Sequence, residues 1–339
     1  MSKIKVENNF IWIILAAIRI YSSNFLRISS YMLFPVLGQV LGLLLVFCLA
    51  GVFSAYLPEL AAKNPAFNSI PTVMLSIILI TIPGLLIFIK AFWEYLVVYG
   101  AMNSVTQGFL ETGKIYDYPA HKATVTQNAL SFIALWVLYS IFVSLGIIPL
   151  LWVPVAVFFV YFVLVFQVFS FEQNITPVDY FTRSFTLIRG NFIRTVLIMF
   201  IIGIFTHVIF VQGFSVLFDF TRITQFLGSL FESTIVELVP IDEINNIIST
   251  INELIINITH NATVQMDLIT PAKVSAFFIY QVIAFLVISF TLPLRSITWA
   301  LWYKALKEVE LKKSNKENKK TVRKLSKEVL DRASRKHND

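Results

Sequence analysis

One histidine lies inside a long apolar run, where an ionisable side chain is costly and is by default a functional candidate. His207, beside Thr206, stands near the middle of the run 192–218. A histidine can relay protons at such a place, because its pKa lies near neutral pH. The alternative is a neutral histidine that hydrogen-bonds to a facing carbonyl or hydroxyl group. We favour this second interpretation, because no acidic residue is expected at the same depth.

Charged residues near the ends of apolar runs are the next candidates. Lys90 and Glu94 are four residues apart and would share one face of a helix. They form either a polar site or, as we favour, a pair whose charged ends reach the membrane surface. Arg295 follows Pro293, and we expect it near the head groups. It either binds a lipid phosphate or acts as an ordinary positive anchor.

Gln39 lies between two glycines in the run Gly38-Gln39-Val40-Leu41-Gly42. Small residues four apart allow two membrane helices to approach closely. We therefore expect a close helix contact here, with the Gln39 amide bonding across it. A substrate site at Gln39 is the alternative hypothesis.

Most catalytic and metal-binding chemistry has no support in the sequence. We find no nucleophile elbow, no phosphate loop and no paired carboxylates within the apolar runs. The single cysteine, Cys48, is expected to be a small buried residue and excludes a disulfide within the chain. The histidines do not occur at ligand spacing; they are His121, His207, His260 and His337. The sequence therefore predicts no cofactor, no metal and no enzymatic activity.

Composition identifies the elements that must position these residues. The 339 residues are 57% hydrophobic and 14% charged, against about 45–50% and about 25% in soluble domains. A membrane-spanning helix needs about 20 apolar residues. We predict an all-α, multi-pass bundle with six transmembrane helices at 30–53, 70–93, 129–148, 150–171, 192–218 and 274–299.

The distribution of charge predicts the orientation. Segment 304–339 holds 13 Lys/Arg and 6 Asp/Glu, and the outer loop 219–272 holds seven acids and one base. Basic loops stay on the cytoplasmic side, so both termini are expected there. The predicted domains are a cytoplasmic N-terminus with an interfacial helix (1–29), a six-span membrane domain (30–303) and a basic cytoplasmic tail (304–339).

An internal repeat organises the spans. With a shift of 167 residues, the segment 19–27 falls on 186–194, and both copies carry Asn-Phe, an aliphatic residue and Arg before a span. A weaker third copy is 126–130. We predict three units, 8–110, 113–171 and 175–310, each with an amphipathic helix, a span, an outer turn and a returning span. The first amphipathic helix, 10–27, is expected in the head-group layer.

The segment 175–192 resembles a recurring bacterial pattern. Its residues are Pro177, Arg183, Ser184, Leu187, Gly190, Asn191 and Phe192. The pattern is similar to that of the polytopic membrane domain attached to some glycerophosphodiester phosphodiesterases, and of related uncharacterised six-helix membrane families. The resemblance implies the architecture and a bacterial inner membrane. The family's enzymatic label does not carry over, because 339 residues leave no room for a phosphodiesterase barrel.

Two regions outside the spans predict contacts. In the outer loop, apolar residues from Ile244 to Ile258 follow heptad spacing in a helix that starts near Pro240. It either lies on the outer leaflet or covers the bundle, or it forms an oligomer contact. The tail is expected to be solvated and attracted to anionic lipid, whereas nucleic-acid binding is not expected.

These features support three functional hypotheses. The first is a non-enzymatic membrane protein that handles lipids or transports a small amphiphile. The second is a membrane scaffold that binds a protein partner or another copy through its tail or outer helix. The third is a membrane enzyme that acts on lipid head groups.

Overall fold

The computed structural model describes residues 9–115, 117–172, 175–238, 241–259 and 266–335, and its regular elements there are all helical. Six of the helical stretches are long and apolar enough to cross a membrane, as the sequence predicted. The helices are α1 (Phe10–Ser23), α2 (Phe25–Lys63), α3 (Ile70–Thr112), α4 (Tyr118–Thr126), α5 (Ala129–Ser144), α6 (Trp152–Phe162), α7 (Val165–Phe171), α8 (Pro177–Ile188), α9 (Phe192–Gly203), α10 (Val211–Phe220), α11 (Ile223–Leu238), α12 (Ile241–Thr259), α13 (Pro271–Phe290) and α14 (Leu292–Arg335).

The first two apolar helices are much longer than the spans that were predicted for them. α2 has 39 residues and α3 has 43, which correspond to about 58 and about 64 Å at 1.5 Å per residue. The apolar core of a bilayer is only about 30 Å thick. α3 continues past its apolar run, and its polar residues there, such as Asn103 and Thr106, are buried inside the protein.

Glycines bring α2 and α3 into close contact, as the spacing of Gly38 and Gly42 predicted. A Cβ on Gly42 would lie 2.6 Å from the Phe88 nitrogen and 2.9 Å from the Gly84 oxygen. A Cβ on Gly38 would lie 2.8 Å from that of Ala91. Since larger residues would push the backbones apart, these glycines are required by the contact itself.

The chain forms two compact units. The first consists of Met1–Phe200 and Leu292–Asp339, and the second of Ile201–Thr291. They do not coincide with the three predicted hairpin units, because the segment 175–310 contributes to both. The division falls inside the predicted fifth span and at Thr291, which separates α13 from α14 just before Pro293.

In the first unit, α1 is shorter than the predicted helix 10–27. It ends at Ser23, and Asn24 separates it from α2. α1 packs on α14, and its residues Ile13, Ala17 and Ile20 are buried. Ile11 and Leu15 are 53% and 61% exposed and are therefore available to other apolar groups.

An asparagine at each of three places joins a short helix to a long apolar one. Asn24, Asn128 and Asn191 follow α1, α4 and α8, respectively. The main-chain N–H of the asparagine donates to the main-chain carbonyl three residues earlier, over 3.3, 3.1 and 2.7 Å. Its main-chain carbonyl accepts from the main-chain N–H four residues later, over 2.9, 3.0 and 3.0 Å. We call these the asparagine junctions.

The asparagine junctions also bury the same positions. The residues seven and three before the asparagine, and four after it, are buried in each copy: Ala17, Tyr21, Ile28; His121, Val125, Phe132; Ser184, Ile188, Thr195. The weak third copy of the repeat at 126–130 therefore has the local geometry of the other two.

The connection between α5 and α6 is tight. Two 3₁₀ segments, Leu145–Ile147 and Pro149–Leu151, form it. The Ile148 N–H donates to Leu145 and the Leu151 N–H donates to Ile148, so the turn satisfies its own main chain.

The second unit contains one helix that we did not predict. α11 (Ile223–Leu238) packs against α13, and the Ser275 hydroxyl donates to the Gly228 carbonyl over 2.6 Å. α12 begins at Ile241, next to its predicted start, and Asp242 and Glu243 lie in its first turn. His260 and His337 lie outside the described residues.

Candidate functional site

Residues 175–192 make several contacts within the first unit. Thr176 caps α8 in a reciprocal arrangement with Asp179, and Pro177 occupies the first turn. The buried Ser184 hydroxyl donates to the Tyr161 carbonyl over 2.7 Å. Leu187 is buried, and the Phe192 ring contacts that of Tyr161 at 5.0 Å.

Gly190 and Asn191 form the end of this segment. Nothing lies within 4 Å of a Cβ on Gly190, so the structure gives no steric reason for a glycine there. Asn191 is the asparagine of the third junction.

Arg183 lies at the centre of an ionic network, which we call the Arg183 cluster (Glu172, Arg183, Tyr303, Lys307 and Glu310). The guanidinium donates to both Glu172 oxygens over 3.0 and 3.1 Å and to the two Glu310 oxygens over 2.8 and 2.5 Å. Tyr303 and Lys307 donate to the same Glu172 oxygen over 2.8 and 2.9 Å. The cluster connects α8 to α14 and to the end of α7.

The Arg183 cluster keeps Glu172 ionised. Burial of the carboxylate opposes ionisation, but the hydrogen bonds from Lys307, Tyr303 and Arg183 together outweigh it and lower the pKa of Glu172. Nε and both terminal nitrogens of Arg183 donate to carboxylates. This arginine therefore has a structural role.

The structure separates Lys90 from Glu94, contrary to the prediction of a pair. Glu94 accepts from Lys122 of α4 over 2.5 Å. Lys90 lies over the Phe34 ring, 5.7 Å from its centroid. Lys90 and Glu94 thus each contact a residue of another helix, and they do not form one polar site together.

Gln39 does not bond across the helix contact. It is buried, and its Nε2 donates to the Pro35 carbonyl of its own helix over 2.8 Å. The prediction of a bond across the contact is therefore wrong, because Gln39 meets its need for a partner within α2.

His207 belongs to the second unit, whereas Gln39, Lys90, Glu94 and Arg295 belong to the first. It is exposed and lies in a π-helical segment, Ile204–Phe210, beside the buried Thr206. Segments of this kind often occur at functional sites. Neither the relay nor the neutral, hydrogen-bonded interpretation is tested by this placement.

Arg295 is half-buried at the start of α14, next to a polar network that we did not predict. It is close enough to Tyr99 for an electrostatic interaction. In the network, Asn103 donates to Ser170 over 2.8 Å and accepts from Gln167 over 3.3 Å. Ser296 donates to the Tyr99 carbonyl over 2.9 Å. Gln167, an amide within a predicted span, was the signal that could have indicated this network.

The best candidate for a binding site is a groove between α1 and the end of α3. Its volume is about 470 Å³, within the range of small-ligand pockets. It is lined by Trp12, Leu15, Ala16, Arg19, Ile20, Ser23, Phe109 and Leu110. We call it the α1–α3 groove. Its walls are apolar except for the guanidinium of Arg19 and the hydroxyl of Ser23.

Arg19 differs from Arg183 in its electrostatic surroundings. Among the described residues, no acidic side chain forms an ion pair with Arg19. Its own carbonyl accepts from Ser23 over 2.6 Å. A positive charge beside an apolar groove is suited to a ligand with an anionic head and an apolar body.

A second groove lies between α3 and α5. It has a volume of about 700 Å³ and, apart from Ser140 and Ser144, is lined by apolar and aromatic side chains, including Trp93 and Trp136. In the part of the chain that the structure describes, no group of three or more His, Cys, Asp or Glu side chains could hold a metal ion.

Comparisons with known proteins give no relative from which a role could be transferred. No model of a protein family, no curated protein and no solved structure matches the chain. The functional argument therefore rests on the geometry of the chain itself.

Proposed function

We propose that this chain is a non-enzymatic, multi-pass protein of a bacterial inner membrane that binds anionic phospholipid and handles lipid or moves a small amphiphile. The observation that carries the proposal is the α1–α3 groove with the unpaired charge of Arg19. An arginine beside a phosphate donates charge-assisted hydrogen bonds, which are stronger than neutral ones. The exposed Ile11 and Leu15 and the groove wall supply apolar surface for the acyl chains.

The proposed orientation puts the α1–α3 groove at the inner leaflet. The basic segments 304–339 and 183–194 argue for a cytoplasmic location of both termini. Trp12 on α1 fits the same placement, because tryptophan is enriched at the membrane surface. A lipid could then enter the groove sideways from the inner leaflet.

The three hairpin units and the family resemblance remain part of the proposal. The asparagine junctions support the repeat, because they give three short helices the same connection to an apolar helix. The motif residues Arg183 and Ser184 carry structural contacts, which supports a non-enzymatic role over an enzyme acting on head groups.

Native mass spectrometry of the purified chain tests the lipid site. We expect phosphatidylglycerol to be retained in preference to phosphatidylcholine, and Arg19→Gln to weaken that retention about tenfold, which corresponds to about 1.4 kcal/mol. Arg189→Gln is the matched control, because Arg189 is also exposed and lies beside the related junction. Equal retention of both lipids, or an equal loss in both variants, contradicts the proposal.

Reconstitution into liposomes with labelled lipid separates binding from movement. If the protein moves lipid or a small amphiphile, the label should exchange between leaflets or leave the vesicle faster than in protein-free controls. Retention of phosphatidylglycerol without movement would leave a lipid-binding protein that is not a transporter.

A scaffold that binds a protein partner or another copy is the second candidate. The observation that favours it is α14, which has 44 residues and continues to Arg335. Ala305 and Leu306 are buried and Glu310 joins the Arg183 cluster, so the packed part of α14 extends past the predicted start of the tail. A truncation that tests this role must therefore remove only 313–339. It should abolish crosslinking to the partner while lipid retention is unchanged.

A further inference from the structure

The turn between α5 and α6 has an entirely apolar surface. No charged residue occurs from 129 to 171, and the turn 145–151 contains no acid, base, amide or hydroxyl group. Ile147 and Leu150 in this turn are 81% and 88% exposed. We call α5, the turn and α6 together the α5–α6 hairpin, and Ile147 and Leu150 its tip. A contiguous apolar surface of this kind indicates a partner or a membrane, not water.

The turn between α2 and α3 has the opposite composition. It carries the polar residues Asn64, Asn68 and Ser69, and beside it Lys63 donates to Glu59 over 2.6 Å. Charged side chains of this kind stay in water. Two turns of the first unit, each at the end of a long apolar hairpin, thus require different surroundings.

The groove between α3 and α5 shows how far the α5–α6 hairpin reaches along α3. The groove extends on α3 as far as Ile89, and on its other wall as far as Ile148 in the turn. Along α3, Ile89 is separated from Ile70, the first residue of the helix, by about 28 Å at 1.5 Å per residue. The apolar core of a bilayer is about 30 Å thick. The tip therefore ends far short of the α2–α3 turn.

Ring contacts show why the hairpin does not reach farther. The Phe132 and Trp93 ring centroids lie 6.3 Å apart. One turn later on α5, the Trp136 ring lies 6.0 Å from that of Tyr99. Since α3 runs away from the α2–α3 turn between 93 and 99, α5 does not approach that turn over this stretch. α5 thus crosses α3 at an angle and does not run alongside it.

The exposed part of the α5–α6 hairpin is about as long as one leaflet is thick. Of residues 137–159, all of which the structure describes, none is buried. On each side of the turn this part is about 16 Å long, about half of the 30 Å apolar core. On the returning chain, residues 163–169 are all buried. The hairpin therefore exposes enough apolar length to enter a bilayer, but not to cross it.

The turn also satisfies the main-chain requirement for a place inside the bilayer. In hydrocarbon, each main-chain N–H and C=O group needs a partner within the protein. The Ile148 N–H donates to Leu145 over 3.1 Å, and the Leu151 N–H donates to Ile148 over 2.9 Å. Pro149 has no N–H to satisfy.

We propose that the α5–α6 hairpin is a re-entrant element that enters the membrane from the side of α4 and α8, turns within the nearer leaflet and returns to the same side. Its partner is the acyl-chain layer of that leaflet, which is the inner one in the proposed orientation. The stretches 129–147 and 149–171 then do not cross the membrane, although both are long and apolar enough to do so. Because the hairpin takes up area in one leaflet only, it acts as a wedge in that leaflet. The proposal rests on the membrane location of the chain, but not on lipid binding in the α1–α3 groove.

A depth profile along the hairpin tests the proposal, with the full chain in lipid nanodiscs. In a Cys48→Ala background, a nitroxide label is attached to one cysteine at a time. The variants all replace exposed residues: Leu130→Cys, Val137→Cys, Ile141→Cys, Ile147→Cys and Leu150→Cys. Electron paramagnetic resonance compares collisions with oxygen, which concentrates in hydrocarbon, and with a water-soluble nickel chelate. Leu79→Cys in α3 is the reference for lipid, and Asn64→Cys in the α2–α3 turn is the reference for water.

We expect the ratio of oxygen to nickel collisions to rise from the start of α5 to the tip, where it should equal that of Leu79. A hairpin that crosses the membrane would give a maximum in the middle of α5 and a fall at the tip to the value of Asn64, which overturns the proposal. Few collisions with either reagent at the tip would also overturn it, because the tip would then contact protein, such as another copy. A value at Leu79 like that of Asn64 would refute the membrane location itself, whereas a failure at the tip alone refutes only the re-entrant hairpin.

Discussion

The first and third asparagine junctions share two main-chain hydrogen bonds but differ in their side-chain chemistry. With the shift of 167 residues, Ala16 corresponds to Arg183 and Ala17 to Ser184. At the third junction, Arg183 forms ion pairs with Glu172 and Glu310. At the first, the small Ala16 leaves a groove beside the unpaired Arg19.

On the proposed function, one repeated element serves structure in one copy and lipid binding in another. The connection depends on the asparagine and on buried positions that the copies share. The adjoining side chains are free to differ, because they affect only what lies against the junction. The copy that lacks the ionic network is the one with an open, positively charged groove.

The largest expected effect is at Arg183. Arg183→Met removes the partner of Glu172 and Glu310, which are 19% and 40% exposed. Breaking a fully buried pair costs about 3–5 kcal/mol, and the partial exposure here reduces our expectation to about 2–3 kcal/mol. Unfolding in mixed micelles measures the change. Ala16→Met is the matched substitution at the first junction, and an equal loss of stability there would contradict the difference between the copies.

The loss of the Ser184 hydroxyl should be the next largest effect. Ser184→Ala leaves the Tyr161 carbonyl without this donor, so we expect a loss of about 1–2 kcal/mol in the free energy of unfolding. Ser22→Ala, at an exposed position of the first junction, should change it by less than about 0.5 kcal/mol. The same experiment measures both variants, and no difference between them would count against a structural role for Ser184.

Filling the groove should reduce lipid binding without a comparable loss of stability. Ala16→Leu adds apolar volume inside the α1–α3 groove, and we expect phosphatidylglycerol retention to fall about tenfold, or about 1.4 kcal/mol. Thr182→Leu, at an exposed position of the third junction, serves as the control. Unchanged retention in Ala16→Leu would place the lipid elsewhere.

The smallest effect is the pH dependence of the third junction. The pKa of Glu172 is lowered in the folded protein, so its contribution to stability is complete above the ordinary carboxyl pKa of about 4.3. It is lost as the pH falls through the lower pKa of the folded state. We expect at most about 1 kcal/mol, because the cluster is partly exposed. Glu172→Gln should flatten the dependence of unfolding on pH in this range, and an unchanged slope would contradict the assignment.

The six apolar helices could be predicted from the sequence, because each depends on residues close together in the chain. α11 also had a local signal, because Ile223, Phe226 and Leu230 recur at helical spacing. We did not predict this helix because its residues lie in the segment 219–272, which we assigned to an acidic outer loop. The ionic partners could not be predicted. Glu94 was expected to pair with Lys90 but binds Lys122, which is 28 residues away, and Arg183 binds Glu310, which is 127 residues away.

The contact at Gly38 and Gly42 was predictable because small residues at this spacing have a purely steric role. The direction of the Gln39 amide was not, since a helix can satisfy such a group either internally or through a neighbour. The α1–α3 groove escaped prediction for a related reason. It depends on the absence of a side chain at Ala16, and sequence patterns indicate what is present more readily than what is missing.

Photocrosslinking with a phosphatidylglycerol that carries a diazirine near its head group tests the lipid site most directly. After proteolysis, mass spectrometry identifies the labelled segments. We predict label on α1 between Trp12 and Ser23 and on the end of α3 at Phe109 and Leu110, with a marked loss in Arg19→Gln. Label spread evenly over the exposed face of the α2–α3 hairpin, and unchanged by that substitution, would contradict a lipid site at the first junction.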